Sequence, residues 1–275
     1  MGHGKLKKFK ENESFGCLLQ PQTGDVLDAA PGTGFILKDH PIKGKWNSEM
    51  FKAGQPIVLE LGCGKGEYTI DLALRNPSFN YIGVDIKGAR LWKGAKYATE
   101  HDLPNVAFLR TRIEFIEAFF APGEVSEIWL TFSDPQLKSE NNRLTSPRFL
   151  ERYSKFLRPG GIIHLKTDSM FLHQYSKAVA KASGLQIIAS AEDLYGEDRE
   201  KLYSSSVLSV MGKDAVDALF SVQTYYEKMF LKQGLAITYL SFTLDHDGPF
   251  VYPEDFDSDY WRQKETPRKT FGIQI

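Results

Sequence analysis

The sequence predicts an α/β protein built on a doubly wound, mostly parallel sheet. From Ile57 onward, short apolar runs alternate with amphipathic helical stretches, the pattern of strands joined by crossover helices. The first run, Ile57–Leu61, breaks into a turn with glycines on alternate positions, Gly62, Gly64 and Gly66. The second ends in an acid, Asp85, about 19 residues after Gly66. Strand, glycine turn, helix and acid form the first unit of a Rossmann-like nucleotide-binding sheet.

Each element follows in order. A helix over 66–75 places Tyr68, Ile70, Leu72, Ala73 and Leu74 on an apolar face and ends at Arg75-Asn76-Pro77. Strands are expected at 80–85, 106–110 and 127–132, with helices at 87–101 and 113–120 between them. A polar loop runs to Thr145, then a helix over 147–157. Arg158-Pro159-Gly160-Gly161 reads as a turn before a strand at 162–167. A helix at 169–182, a strand at 185–189, a mostly helical stretch over 192–232 and a last strand at 235–244 complete the alternation.

The expected division is a basic, partly flexible N-terminal extension over 1–55, a core domain over 56–245 and a tail over 246–275. The extension carries Lys5, Lys7, Lys8 and Lys10 around Phe9, which suits either a solubilising arm or a phosphate-binding one. Val26–Gly34, V-L-D-A-A-P-G-T-G, imitates a nucleotide loop, but no amphipathic helix follows it. There are no internal repeats.

The chain has 275 residues and a formal net charge of −1, so it is no bulk polycation, and any nucleic acid must be met by local patches. Lys87, Arg90, Lys93 and Lys96, spaced by three, form one such stripe, which is also the ordinary dress of a solvated helix face. Two cysteines, Cys17 and Cys63, form no disulfide or metal pattern, which suits a reducing compartment. No signal peptide or membrane-length apolar run is present, so a cytoplasmic protein without membrane contact is expected.

Ligands of open α/β sheets bind outside the carboxyl ends of the strands. Glu60 stands at one such end, where a carboxylate suits a cation better than a pyrophosphate. A cationic nucleoside, S-adenosyl-L-methionine, fits that preference. Asp85 then stands where an acid bonds ribose hydroxyls, although a helix N-cap would explain it too. The next strand ends in T-F-S-D-P-Q-L-K, giving Asp134 and Lys138, and the one after in H-L-K-T-D, giving Thr167 and Asp168. Glu60, Asp85, Asp134 and Asp168 are expected to ring one crevice, with Pro135 fixing the backbone after Asp134. No histidine or further acid lies at metal-ligand spacing from them, so no metal is expected.

L-E-L-G-C-G-K-G, G-V-D, F-S-D-P-x-x-K and H-L-K-T-D together resemble the tRNA (guanine-N(7))-methyltransferases. The segment T-Y-Y-E, Thr224 to Glu227, resembles that family's T-x-x-E, and G-K-L-K-K-F its basic leader. The likeness covers most of residues 4–244. The first two motifs are generic to methyltransferases; F-S-D-P-x-x-K and T-x-x-E are far more specific.

The resemblance implies a class I methyltransferase fold and methylation of guanine nitrogen 7 in tRNA. By the same resemblance, Asp134 is the active-site acid. Glu60, Gly62, Gly64, Gly66, Asp85, Arg112 and Asp134 serve the cofactor, with Thr111 to Ile113 over its adenine. Lys138, Asp168, Thr224, Tyr225, Tyr226 and Glu227 meet the guanosine or its tRNA. Three positions depart from the family: Gln136 replaces a usual Trp, Arg112 a frequent Asp, and Asn141 to Arg143 a longer basic run. The alternatives are a methyltransferase for another substrate and a non-catalytic module that keeps the fold; a nicotinamide oxidoreductase disagrees with the glycine spacing and Glu60. A monomer and a homodimer are equally compatible with the sequence.

Overall fold

A computed structural model describes residues 3–30, 34–51, 53–245 and 248–265. Helix α1 (His3–Asn12) and strand β1 (Leu18–Leu19) come first, then a hairpin of β2 (Leu27–Ala30) and β3 (Gly34–Leu37) and the short α2 (Trp46–Glu49). The alternation follows as β4 (Ile57–Leu61), α3 (Glu67–Arg75), β5 (Asn80–Asp85), α4 (Gly88–Glu100) and β6 (Val106–Arg110). It continues through β7 (Val125–Thr131), α5 (Pro147–Ser154), β8 (Leu157–Thr167), α6 (Met170–Ala182) and β9 (Ile187–Ala191). Three short helices, α7 (Ser205–Met211), α8 (Lys213–Ser221) and α9 (Tyr225–Lys232), lead to β10 (Thr238–Thr243), and α10 (Ser258–Lys264) comes last.

Eight strands form one sheet in the order β1-β6-β5-β4-β7-β8-β10-β9, with β10 antiparallel to both neighbours and the other pairings parallel. The doubly wound sheet is thus as expected. Strand order reverses between β4 and β7, and this switch point is where such sheets open a crevice. Both faces are covered, so β4 is buried throughout, with Glu60 its one polar residue. Ile57, Leu59 and Leu61 join one core while Val58 joins the other, the one that includes Tyr68, Ile70 and Leu72 of α3. Glu60 shares the parity of Val58 and meets α3 through Thr69.

Several elements differ from expectation. The stretch over 113–120 is a 3-10 helix, Ile113–Ala118, too short to cover the sheet as an α-helix would. The R-P-G-G sequence does not end an element. It lies inside β8, where pairing jumps from Val125↔Leu157 to Glu127↔Ile162 and Gly160 takes φ +68°. The helical stretch over 192–232 is broken at Gly212, whose φ of +77° separates α7 from α8.

The N-terminal stretch, unpatterned in sequence, is ordered by tertiary contact. Helix α1 packs on α4, and buried Asn12 donates its side-chain amide to the Gly88 carbonyl at 2.9 Å. Strand β1 pairs with β6. The Val26–Gly34 mimic lies in the β2–β3 hairpin, in part outside the described residues. Among the described residues no helix is long and apolar enough to cross a membrane.

Candidate active site

The crevice at the switch point is built first from the turn after β4. The Gly62 and Cys63 amides donate to the Val84 carbonyl at 2.8 and 3.0 Å, which folds the turn back over β5. Gly62 and Gly64 have φ of +80° and +58°, and a Cβ at either would meet nothing within 4 Å. They line an open hollow, and their lack of side chain lets a ligand reach the backbone. Gly66 differs: a Cβ there would sit 2.5 Å from the Phe108 ring. It is therefore needed for packing at the start of α3, and it lines the neighbouring groove with Lys65 and Glu67 rather than the hollow itself.

Glu60 forms the floor. It is 3% exposed. One oxygen accepts the Thr69 amide at 2.9 Å and the Thr69 hydroxyl; the other accepts the Thr131 hydroxyl at 2.5 Å. Burial dominates these bonds and raises the carboxyl from 4.5 to about 7, with Asp85 adding repulsion. Among the described residues no cation offsets that charge. Asp85 is buried beside it and accepts the Gly64 amide at 3.0 Å and the Lys87 amide at 2.7 Å. The N-cap of α4 is Lys87, without a side-chain cap bond, so Asp85 is not the cap the sequence allowed; its carboxylate instead ties the glycine turn to the residue before α4.

The opposite wall comes from β7 and from the junction of α8 and α9. Phe132 takes φ +50°, strained for an aromatic residue, and its amide is held by the Lys166 carbonyl at 2.8 Å. Thr224 caps α9 by accepting the Glu227 amide at 3.2 Å. Tyr225 donates its amide to Glu67 at 3.0 Å, and the ammonium of Lys65 lies 5.4 Å from its ring centre. Thr224, Tyr225 and Tyr226 line the hollow with Glu60, Gly62, Gly64, Thr131 and Phe132.

Glu227 does not line it. Lys166 and Glu227 are both fully buried and 2.7 Å apart. The Lys166 ammonium also donates to the Leu219 and Val222 carbonyls at 2.7 and 3.1 Å, and the Tyr195 hydroxyl donates to Glu227 at 2.6 Å. Burial lowers the Lys166 pKa and the Glu227 charge opposes that shift. Glu227, expected at the tRNA, instead anchors the α8–α9 junction from behind.

Asp134 is exposed in the loop after β7, two residues beyond Phe132, and is not among the residues that line the hollow. Its carboxylate accepts the Gln136 amide at 2.9 Å, an Asx turn that accompanies a φ of +47° at Gln136. Two residues distant in sequence brace this loop. Arg143 is buried, donates to the Pro135 carbonyl at 3.3 Å and lies 4.7 and 4.2 Å from the ring centres of Phe171 and Tyr175. It was expected as the remnant of a phosphate grip and is an internal brace instead. Arg262 of α10 donates to the Leu137 carbonyl at 3.2 Å, so the tail buttresses the same loop. Lys138 is exposed on it.

Asp168 follows β8, beside the start of α6, and is half-buried. Strands β5, β4, β7 and β8 are consecutive in the sheet, so Asp85, Glu60, Asp134 and Asp168 lie at the same end of four neighbouring strands. Arg112 does not reach the hollow. Its side chain is 57% exposed, 3.7 Å from Glu114, and lines a separate groove. Sequence reading missed Thr69, Thr131, Tyr195 and Lys166. Only Lys166 left a signal, a lysine inside the apolar run I-I-H-L-K-T.

A doubly wound sheet with a glycine turn at the switch point, a buried carboxylate floor and an acid at the end of the second strand defines a class I methyltransferase. A family model described as "Putative methyltransferase" matches residues 54–237. The tRNA (guanine-N(7)-)-methyltransferase of Bacteroides thetaiotaomicron is 44% identical over 275 residues, covering 100% of this chain and 99% of that one. That of Christiangramia forsetii is 46% identical over 242 residues, covering 87% and 97%. That of Levilactobacillus brevis is 33% identical over 201 residues, covering 72% and 85%. The chain belongs to the tRNA (guanine-N(7)-)-methyltransferase family.

Proposed function

We propose that this protein methylates nitrogen 7 of a guanine in tRNA, with S-adenosyl-L-methionine as methyl donor. The observation that carries the cofactor assignment is the floor of the hollow: a buried carboxylate bonded, among the described residues, by two hydroxyls and an amide, below two glycines with open space in front of them. Glu60 and Asp85 present negative charge to a ligand bearing a sulfonium and an ammonium group, and Asp85 retains acceptor capacity for ribose hydroxyls. Bound there, S-adenosyl-L-methionine would supply an electrophilic methyl group.

Nitrogen 7 of guanine carries a lone pair and no proton, so it attacks without a strong general base. The residues then have two tasks. One is alignment, which is worth roughly 7–11 kcal/mol in well-oriented reactions. The rigid turn after β4 and the braced Asp134 loop serve it. The other is electrostatic: the base gains positive charge, and Asp134 stabilises that charge or accepts from the Watson–Crick donors of guanine. Nitrogen 7 faces the deep, narrow groove of an RNA helix, so the target guanosine is taken from a loop or extruded. Lysines of α1 and α4 hold the RNA backbone. A tRNA substrate places the enzyme in the cytoplasm.

Asp134→Ala abolishes transfer from labelled cofactor to bulk tRNA while leaving cofactor affinity near wild type. Unchanged turnover would remove Asp134 from the reaction. Mapping methylated guanosines in tRNA from cells with and without the protein identifies the position.

A further inference from the structure

A second groove opens at the same end of the sheet as the active site. It is lined by the β2–β3 hairpin on one side, by Arg112 and Phe115 after β6 on another, and by Arg148 and Arg152 of α5 on the third, with a volume of about 710 Å³. Leu27 and Leu37 are opposite one another in the hairpin register, and Phe35 lies two residues from Leu37, so the three share the face turned to the groove. Phe35 is 75% exposed, an unusual position for a large aromatic ring on a two-stranded ribbon.

The charge of the groove is specific. Arg152 is held by Glu117 at 3.1 Å and by the Glu114 carbonyl at 2.7 Å, so it is structural. Arg112 is half-engaged, with its guanidinium 3.7 Å from Glu114 and 5.7 Å from the centre of the Phe115 ring. Arg148 is exposed and has no acidic partner within ion-pair distance among the described residues. Two available arginines beside two aromatic rings stand out in a chain of net charge −1. Planar guanidiniums grip phosphates, and aromatic faces stack on unpaired bases of any sequence. An apolar protein surface would use the apolar face but leave Arg148 without a counterpart. Arg112 stands two residues beyond Arg110, the register partner of Asp85, so the groove opens at the same end of the sheet as the cofactor site.

We infer that this groove binds the single-stranded RNA flanking the target guanosine, with a base stacked on Phe35 and phosphates on Arg148 and Arg112. The inference rests on the tRNA reading and deepens it, by assigning the hairpin a part in substrate binding. Phe35 and Arg148 lie outside the catalytic hollow and are suited to the test. Fluorescence titration with tRNA should show Phe35→Ala and Arg148→Glu each weakening binding about five- to tenfold. Arg148→Ala should lower the slope of log affinity against log salt by about one. Calorimetric affinity for S-adenosyl-L-methionine should equal wild type in all three, which reports an intact fold. Wild-type tRNA affinity and salt slope in these variants would overturn the inference and assign the groove to another partner. Methyl transfer to tRNA by the unmodified protein is measured separately, so loss of the groove proposal leaves that activity standing, and the reverse.

Discussion

Glu60 and Glu227 are both buried carboxylates beside the same hollow, and they are stabilised in opposite ways. Glu60 lies on the β4 side, held by two threonines and an amide, with its pKa pushed up to about 7. Glu227 lies behind the α8–α9 wall, 2.7 Å from a lysine that also holds two helix-end carbonyls. Glu227 has its counter-charge in Lys166, and Glu60 has none among the described residues. A permanently paired charge fixes the position of a wall; an unpaired one leaves room for a cationic ligand to supply the compensation. The β4 side is thus arranged for exchange and the α8–α9 side for permanence.

The largest expected effect comes from breaking the permanent side. Lys166→Met leaves Glu227 uncompensated and the Leu219 and Val222 carbonyls without their donor. We expect a loss of about 3–5 kcal/mol in denaturant unfolding. The paired variant Lys166→Met/Glu227→Leu should recover most of that loss, because no lone charge remains buried. A double variant as unstable as the single one would contradict the contrast.

The exchange side behaves differently with pH. Burial favours the protonated form of Glu60, so its contribution to stability is complete below 4.5 and is lost as pH rises to about 7. A shift of that size corresponds to roughly 3 kcal/mol. Glu60→Gln should therefore gain stability relative to wild type across that window, and parallel stability profiles would show that Glu60 is ionised in the free protein. A bound cation favours the ionised form, so cofactor affinity should fall about fivefold from pH 7 to pH 6, with proton release on binding. Calorimetry in buffers of different ionisation enthalpy reads that proton. The smallest effect is expected at Asp85, where Ala removes charge-assisted bonds and weakens cofactor binding several-fold; an unchanged affinity would confine Asp85 to tying the glycine turn to Lys87.

Much of this was legible because it is written locally. The alternation from Ile57, the G-x-G-x-G turn and the acids at strand ends depend on residues a few positions apart, where period and turn chemistry act directly. The N-terminal stretch was not legible, because α1 and β1 are held by α4 and β6, far along the chain. Arg143 read as a surface cation and proved internal, since two rings from α6 enclose it.

The sequence by itself determined the sheet, its glycine turn and the end at which ligands gather, because strand and helix periods are local properties of the chain. Only the tertiary structure decided which charges face the hollow. Among the described residues Glu60 was left without a counter-ion and Glu227 was given Lys166, because burial and partnership are set by what distant segments bring alongside.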